Sequence, residues 1–185
     1  MIIANRSSLL FVTILASIFV NPLAITKVQA AVLQDFNGKP SSIERFTGQG
    51  KWTVVMIWAS DCHVCNKEAT SYVDFHFAHS DDDAQVLGIS IDGQSKKDEA
   101  EKFIKRHKIN FPSLIGEPQD VAQLYTELTG ATFIGTPVFL FYNPQGVLVA
   151  QQAGAVPPEL IEEFIQQQSQ PRSQPTSQTT SQPAS

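Results

Sequence analysis

Cys62 and Cys65 are the only two cysteines of the chain, separated by His63 and Val64. Two thiols at that spacing can close a small disulfide ring and reopen it, which is redox chemistry. As a staple the pair would achieve little, because stabilisation by loop closure grows with loop length and this loop is nearly the shortest available. A thiolate is the attacking species, and a free cysteine with a pKa of about 8.5 is mostly protonated at neutral pH. If Cys62 opens a helix, unpaired backbone N–H groups and the positive end of the helix dipole stabilise its sulfur as an anion. Cys65, one turn further in, faces inward. Cys62 is therefore the expected nucleophile that forms a mixed disulfide with a partner, and Cys65 the thiol that resolves it.

The neighbours pull in opposite directions. A protonated His63 favours the Cys62 thiolate and a more oxidising potential, whereas Asp61 opposes it by like-charge repulsion. The alternative for His63 is a solvated residue at a helix start. Glu68 stands one turn beyond Cys65 and can share its side of a helix, where a partly desolvated carboxyl would exchange a proton with the thiol. Its alternative is an exposed helix acid. Cys62, His63 and Cys65 are also soft ligands that suit Cu(I) or Zn(II), which makes a copper-binding chaperone the alternative of another class. A dedicated site would draw a further ligand from a separate segment; His76, His79 and His107 belong to no motif and are expected at the solvated surface. No metal is assigned.

The elements that must hold this pair are legible around it. Lys51 to Ala59 is an apolar, β-branched strand leading into the cysteines, and Cys62 to His79 carries Ala69, Tyr72, Val73, Phe75 and Phe77 as the inward residues of a helix. Gln85 to Ile91 reads as a second buried strand, Ser95 to His107 as an amphipathic helix with Ala100, Phe103 and Ile104 inward, and Gln119 to Leu128 as a helix ended by Gly130. Pro137 to Tyr142 and Gly146 to Gln151 form two strands joined by the turn Asn143-Pro144-Gln145-Gly146. Ala31 to Phe46 is a lead-in with a turn at Asn37-Gly38, and Pro157-Pro158-Glu159 opens a last helix to Gln166. Strand, helix, strand, helix, hairpin and closing helix make an α/β sandwich with a central mixed sheet flanked by helices.

Of the 185 residues 42% are hydrophobic, enough for one core, and one domain suffices. Net charge is -5 and the few Lys and Arg form no stripe, which argues against nucleic acid or an anionic membrane surface as the main partner. Residues 1–30 read as an export signal: Arg6 in a short n-region, an apolar Leu9 to Val20, a break at Asn21-Pro22, and Val28-Gln29-Ala30 before the cleavage point. The apolar run is shorter than the roughly 20 residues of a spanning helix; left uncleaved, the segment would be the chain's only membrane contact. Residues 31–166 are the expected domain. Residues 167–185, rich in Gln, Ser, Pro and Thr, are the expected disordered tail, with too little apolar surface to offset their ordering entropy.

Several motifs together carry a resemblance. Trp58-Ala59-Ser60-Asp61-Cys62-His63-Val64-Cys65 followed by a βαβ unit, with Gly135-Thr136-Pro137 ahead of a hairpin, resembles the thioredoxin fold. Asp35-Phe36-Asn37-Gly38-Lys39-Pro40, Phe46-Thr47-Gly48, Glu68 and Asn143-Pro144-Gln145-Gly146 resemble the TlpA/ResA-like branch of exported thiol-disulfide oxidoreductases, over about residues 32 to 166. The branch commonly has Trp where Asp61 stands and often Pro within the dipeptide; this chain has neither. The resemblance implies the same roles for Cys62 and Cys65, and Glu68 near the buried cysteine. It also implies a cis Pro137 against the disulfide, with the Thr136 backbone free to pair with an extended substrate segment. Trp58 reads as core packing near the site, with a substrate contact as the alternative. By resemblance the activity is that of a reductase, with cytochrome c maturation among the family's tasks and an oxidase or isomerase of the same fold as the alternative. No bound cofactor is implied. The partners would be proteins bearing disulfides or thiols and a membrane thiol-shuttling redox partner, and the setting periplasmic or otherwise exported. A peroxidase of the peroxiredoxin type would call for a Thr-x-x-Cys motif, which is absent.

Overall fold

The computed structural model describes residues 32–170. The expected signal, 1–30, and most of the expected tail lie outside the described residues. Leu33–Asp35 (β1) and Pro40–Ser41 (β2) form a small hairpin, followed by a 3-10 turn at Ile43–Arg45. Then come Trp52–Trp58 (β3), His63–His79 (α1), Ala84–Ser90 (β4), Lys97–His107 (α2), Ser113–Ile115 (β5) and Pro118–Thr129 (α3). Val138–Tyr142 (β6), Leu148–Ala153 (β7) and Pro158–Ser169 (α4) complete the chain.

The seven strands make one mixed sheet in the order β2-β1-β5-β4-β3-β6-β7, with β3, β4 and β5 parallel and β6 antiparallel to β3. This is the expected α/β sandwich. Side chains alternate across the strands. Trp52, Val54, Met56 and Trp58 of β3 with Phe139 and Phe141 of β6 face α1, α2 and α4 through Tyr72, Phe103 and Ile161. Val55, Ile57, Leu87, Ile89 and Leu140 face α3 through Val121 and Tyr125. The Tyr72 hydroxyl donates to the Val156 carbonyl at 3.0 Å and pins the segment before α4 onto α1; burial pushes its pKa up to about 12.

Four sequence readings change. β1, β2 and β5 were not expected as strands, because two or three residues are too few to show a period of two; they exist by pairing at the edge beyond β4. Phe77, expected inward, is 82% exposed; at 3.6 residues per turn it lies about 140° round the helix from the buried Tyr72. α4 runs past Gln166 to Ser169, whose hydroxyl caps the Ile165 carbonyl at 2.8 Å; glutamine is a good helix former whether or not it buries anything.

The fourth correction is His76, expected at the surface and found buried. β5 covers only Gly88–Ser90 of β4, so the Val86 N–H lies beyond the ladder and donates instead to His76 Nδ1 at 3.1 Å. Desolvation, then the Lys51 charge, lowers its pKa below the ordinary 6.5. His79 is half-buried and bridges Asp83 (2.8 Å) and Glu162 of α4 (3.2 Å); desolvation alone would lower its pKa, but bonds to the two carboxylates raise it. A depressed histidine contributes stability that is lost as pH falls below 6.5 through the folded value, and a raised one contributes stability that is lost as pH rises through its folded value. Thermal unfolding between about pH 5 and pH 8 should therefore separate them. His76→Gln should lessen the fall in Tm on the acid side, while His79→Gln should lower Tm at the acid end and spare the alkaline end. Parallel Tm curves for both variants and the parent would refute this.

Candidate active site

Three strand ends converge. β3 runs through Ala59-Ser60-Asp61 into the N-terminus of α1, and β4, parallel to it, ends at the same side with Asp92 just beyond. β6 is antiparallel to β3 with Ile57 opposite Val138, so Pro137 and Thr136, one and two residues upstream, arrive beside the 59–62 turn. The Thr136–Pro137 bond is cis, and Gly135 before it has φ 137°, a backbone region that favours glycine.

Cys62 and Cys65 are joined in a disulfide with their Cα atoms 5.2 Å apart. Cys62 is the N-cap of the 17-residue α1, and its sulfur accepts the Cys65 N–H at 3.0 Å. It is half-buried; the Thr136 carbonyl oxygen lies 3.5 Å away. Cys65 is 0% exposed. With no acid in its first turn, the helix presents free N–H groups and its positive end to Cys62 alone. A thiolate formed there would be stabilised, while attack from outside on Cys65 is blocked.

The other expected residues divide. His63 and Asp61 are exposed on either side of Cys62, and Asp61 is paired with Lys96 at 3.3 Å, which offsets part of its repulsion of a thiolate. Glu68 is half-buried on α1 with its carboxylate 3.6 Å from Lys67 Nζ. Pro137 is buried and Thr136 half-exposed. Trp58, read as core packing with a substrate contact as the alternative, is 1% exposed and stacks on Phe103, ring centroids 4.3 Å apart. It fits because Gly88 has no side chain; a Cβ there would stand 3.0 Å from the indole nitrogen. Among the described residues no group of three or more His, Cys, Asp or Glu is placed to hold a metal ion. No helix of the described residues is long and apolar enough to cross a membrane.

Two residues went unnoticed in the sequence. Asp92 is buried and accepts from the Ser60 N–H (3.0 Å), the Ser60 hydroxyl (2.8 Å) and the Ser90 hydroxyl (2.7 Å). The signal was available: an acid at the carboxyl end of a buried parallel strand, where α/β sheets place their sites. Asn66 donates to the Ser60 and Cys62 carbonyls, both at 2.9 Å, from a position four residues after Cys62 on the same helix face. His107, expected on the surface, is half-buried against Phe103, with Nε2 3.0 Å from Asn66 Oδ1.

The model of the AhpC/TSA family matches residues 25–151, most of the chain. This chain belongs to the AhpC/TSA family. Among curated relatives it is 23% identical over 117 residues to the sporulation thiol-disulfide oxidoreductase A of Bacillus subtilis, covering 63% of this chain and 67% of that one. Solved structures that share the fold of this AhpC/TSA protein include the following two. A thioredoxin-related protein from Neisseria meningitidis superposes with TM-score 0.62 at 18% identity, covering 73% of this chain and 96% of that one. A secreted Mycobacterium tuberculosis disulfide oxidoreductase homologous to E. coli DsbE gives 0.55 at 20% identity, covering 72% and 92%. The sheet order, the cis proline and the helix-capping disulfide are those of the thioredoxin fold. The chain is a thiol-disulfide oxidoreductase of that fold, with Cys62 and Cys65 as its redox pair.

Proposed function

We propose that the protein is an exported reductase of protein disulfides. The observation that carries this is the asymmetry of the pair: one sulfur half-exposed at a helix N-terminus, the other fully enclosed. The Cys62 thiolate attacks a partner's disulfide, forming the Cys62–partner bond and releasing the partner's other sulfur as a thiolate. Cys65, losing its proton, then attacks Cys62; the partner leaves reduced by two electrons and the Cys62–Cys65 disulfide is formed. Glu68 is the group that takes up the Cys65 proton, and Thr136 and Pro137 line the partner's approach. Asp61 and His63 tune the potential against each other.

Reduction rather than oxidation is supported by charge. Two carboxylates, Asp61 and Asp92, flank the turn that carries Cys62, with Lys96 the cation paired to Asp61. Negative surroundings destabilise a thiolate, and a couple whose reduced form is less stabilised is the better reductant. Electrons would come from a membrane thiol-shuttling partner, and apocytochrome c is among the substrates the family resemblance suggests. The secreted Mycobacterium relative and the signal-like first thirty residues support export, with 1–30 removed, the thioredoxin-like domain following and the Gln-rich tail after α4. Equilibrium titration of the pair against glutathione tests the direction. A potential toward that of thioredoxin, about −270 mV, is expected; one toward that of a strong oxidant, about −120 mV, would replace reductase by oxidase.

A further inference from the structure

Three of the four hydrogen-bonding positions of the Asn66 amide are filled by partners whose roles are fixed. Its nitrogen donates to the carbonyls of Ser60 and Cys62, and its oxygen accepts from Arg106 Nη2 at 2.7 Å and faces His107 Nε2 at 3.0 Å. The orientation is unambiguous, since carbonyls only accept and a guanidinium only donates. Ser60 is thereby held on both sides: its N–H and hydroxyl by Asp92, its carbonyl by Asn66. These contacts fix the turn that sets the Cys62 sulfur on the Cys65 N–H, and nothing in the disulfide exchange itself requires them. Arg106 and His107 close α2, whose Phe103 stacks on the buried Trp58 and whose N-cap Lys96 pairs with Asp61. A guanidinium on the amide oxygen also polarises the amide so that its positive end points into the Cys62 turn.

We propose that Asn66 is a positioning residue that couples the Cys62 turn to the end of α2, and that it stabilises the Cys62 thiolate by holding the Ser60 and Cys62 carbonyls. This rests on Cys62 being the attacking thiol. Asp92 and Asp61 oppose the thiolate, Lys96 and His63 favour it, and Asn66 with Arg106 adds to the favourable side without carrying a charge to the sulfur. Loss of the clamp therefore weakens the reduced form more than the disulfide, which holds its own ring closed.

The test uses the full chain with Asn66→Asp, which keeps the size and the acceptor for Arg106 but sets a carboxylate against two carbonyl oxygens, and with Arg106→Met. Two quantities are read on the reduced protein: the pH profile of Cys62 alkylation by iodoacetamide, and the equilibrium constant with glutathione. Asn66→Asp should move the alkylation midpoint up by about one pH unit. It should also shift the glutathione constant about tenfold toward the disulfide, equivalent to about 30 mV. Arg106→Met should shift both in the same direction by less. Should Asn66→Asp not fold, Arg106→Met, an exposed position, decides alone. Parental profiles in the folded variants would overturn the proposal even where Tm falls, since a purely structural role moves stability and leaves the profile in place. A parent protein whose Cys62 resists both dithiothreitol and iodoacetamide would instead sink the enzymatic reading on which the proposal rests.

Discussion

Cys62→Ser is expected to abolish disulfide exchange, and Cys65→Ser to convert the protein into a trap. The reason is accessibility. Cys65 is 0% exposed and sits inside the cluster that includes Trp58, Ala69 and Tyr72, so once Cys62 is gone no sulfur is within reach of a partner. Insulin reduction by the Cys62→Ser protein should fall to the rate of dithiothreitol alone, a loss on the order of 10² or more, as for other required nucleophiles. Cys65→Ser leaves Cys62 at the helix N-cap with its attack intact and no internal thiol to release the product. It should accumulate mixed disulfides, visible by mass as adducts that dithiothreitol removes. Equal residual activity in the two variants would contradict the assignment of attacking and resolving roles.

Trp58→Ala is expected to cost stability without cost to recognition. The indole is 1% exposed, stacked on Phe103 and seated over Gly88, and truncation to alanine leaves a cavity that the surrounding sheet cannot close. Large aromatic-to-alanine changes in cores cost roughly 3 to 5 kcal/mol, which for a domain of this size corresponds to a drop in Tm of about 10 °C. Well below that Tm, KM for a protein disulfide should stay within about twofold of the parent, because the ring has no surface to offer a substrate. Urea unfolding and insulin kinetics on one preparation check both halves. A large rise in KM with unchanged stability would instead favour the substrate-contact alternative for Trp58.

The same three residues show how legibility divides. Cys62 and Cys65 could be assigned different roles from local geometry alone, because a helix N-terminus and its first buried turn are properties of a short segment. Trp58 stands four residues away, and core packing and substrate contact stayed open for it, because whether an aromatic faces solvent or core depends on what lies across the sheet: Gly88 and Phe103, 30 and 45 residues further on. His76 failed for the same reason. Its polarity suggests the surface, but the unpaired Val86 N–H that draws it inward exists only because β5 is short.

What the sequence by itself determined were the features that repeat or act locally: the long buried strands by their apolar runs, the amphipathic helices by their period, the turn at Asn143-Pro144-Gln145-Gly146, and the redox pair by its spacing. What only the tertiary structure decided were the contacts between segments far apart in the chain. Asp92 and Asn66 meet at Ser60, Thr136 comes within 3.5 Å of Cys62, and Arg106 reaches the amide of Asn66. Each depends on strand register and helix docking, and a hydrogen bond is lost with a displacement of about one ångström that no residue type in the sequence encodes on its own.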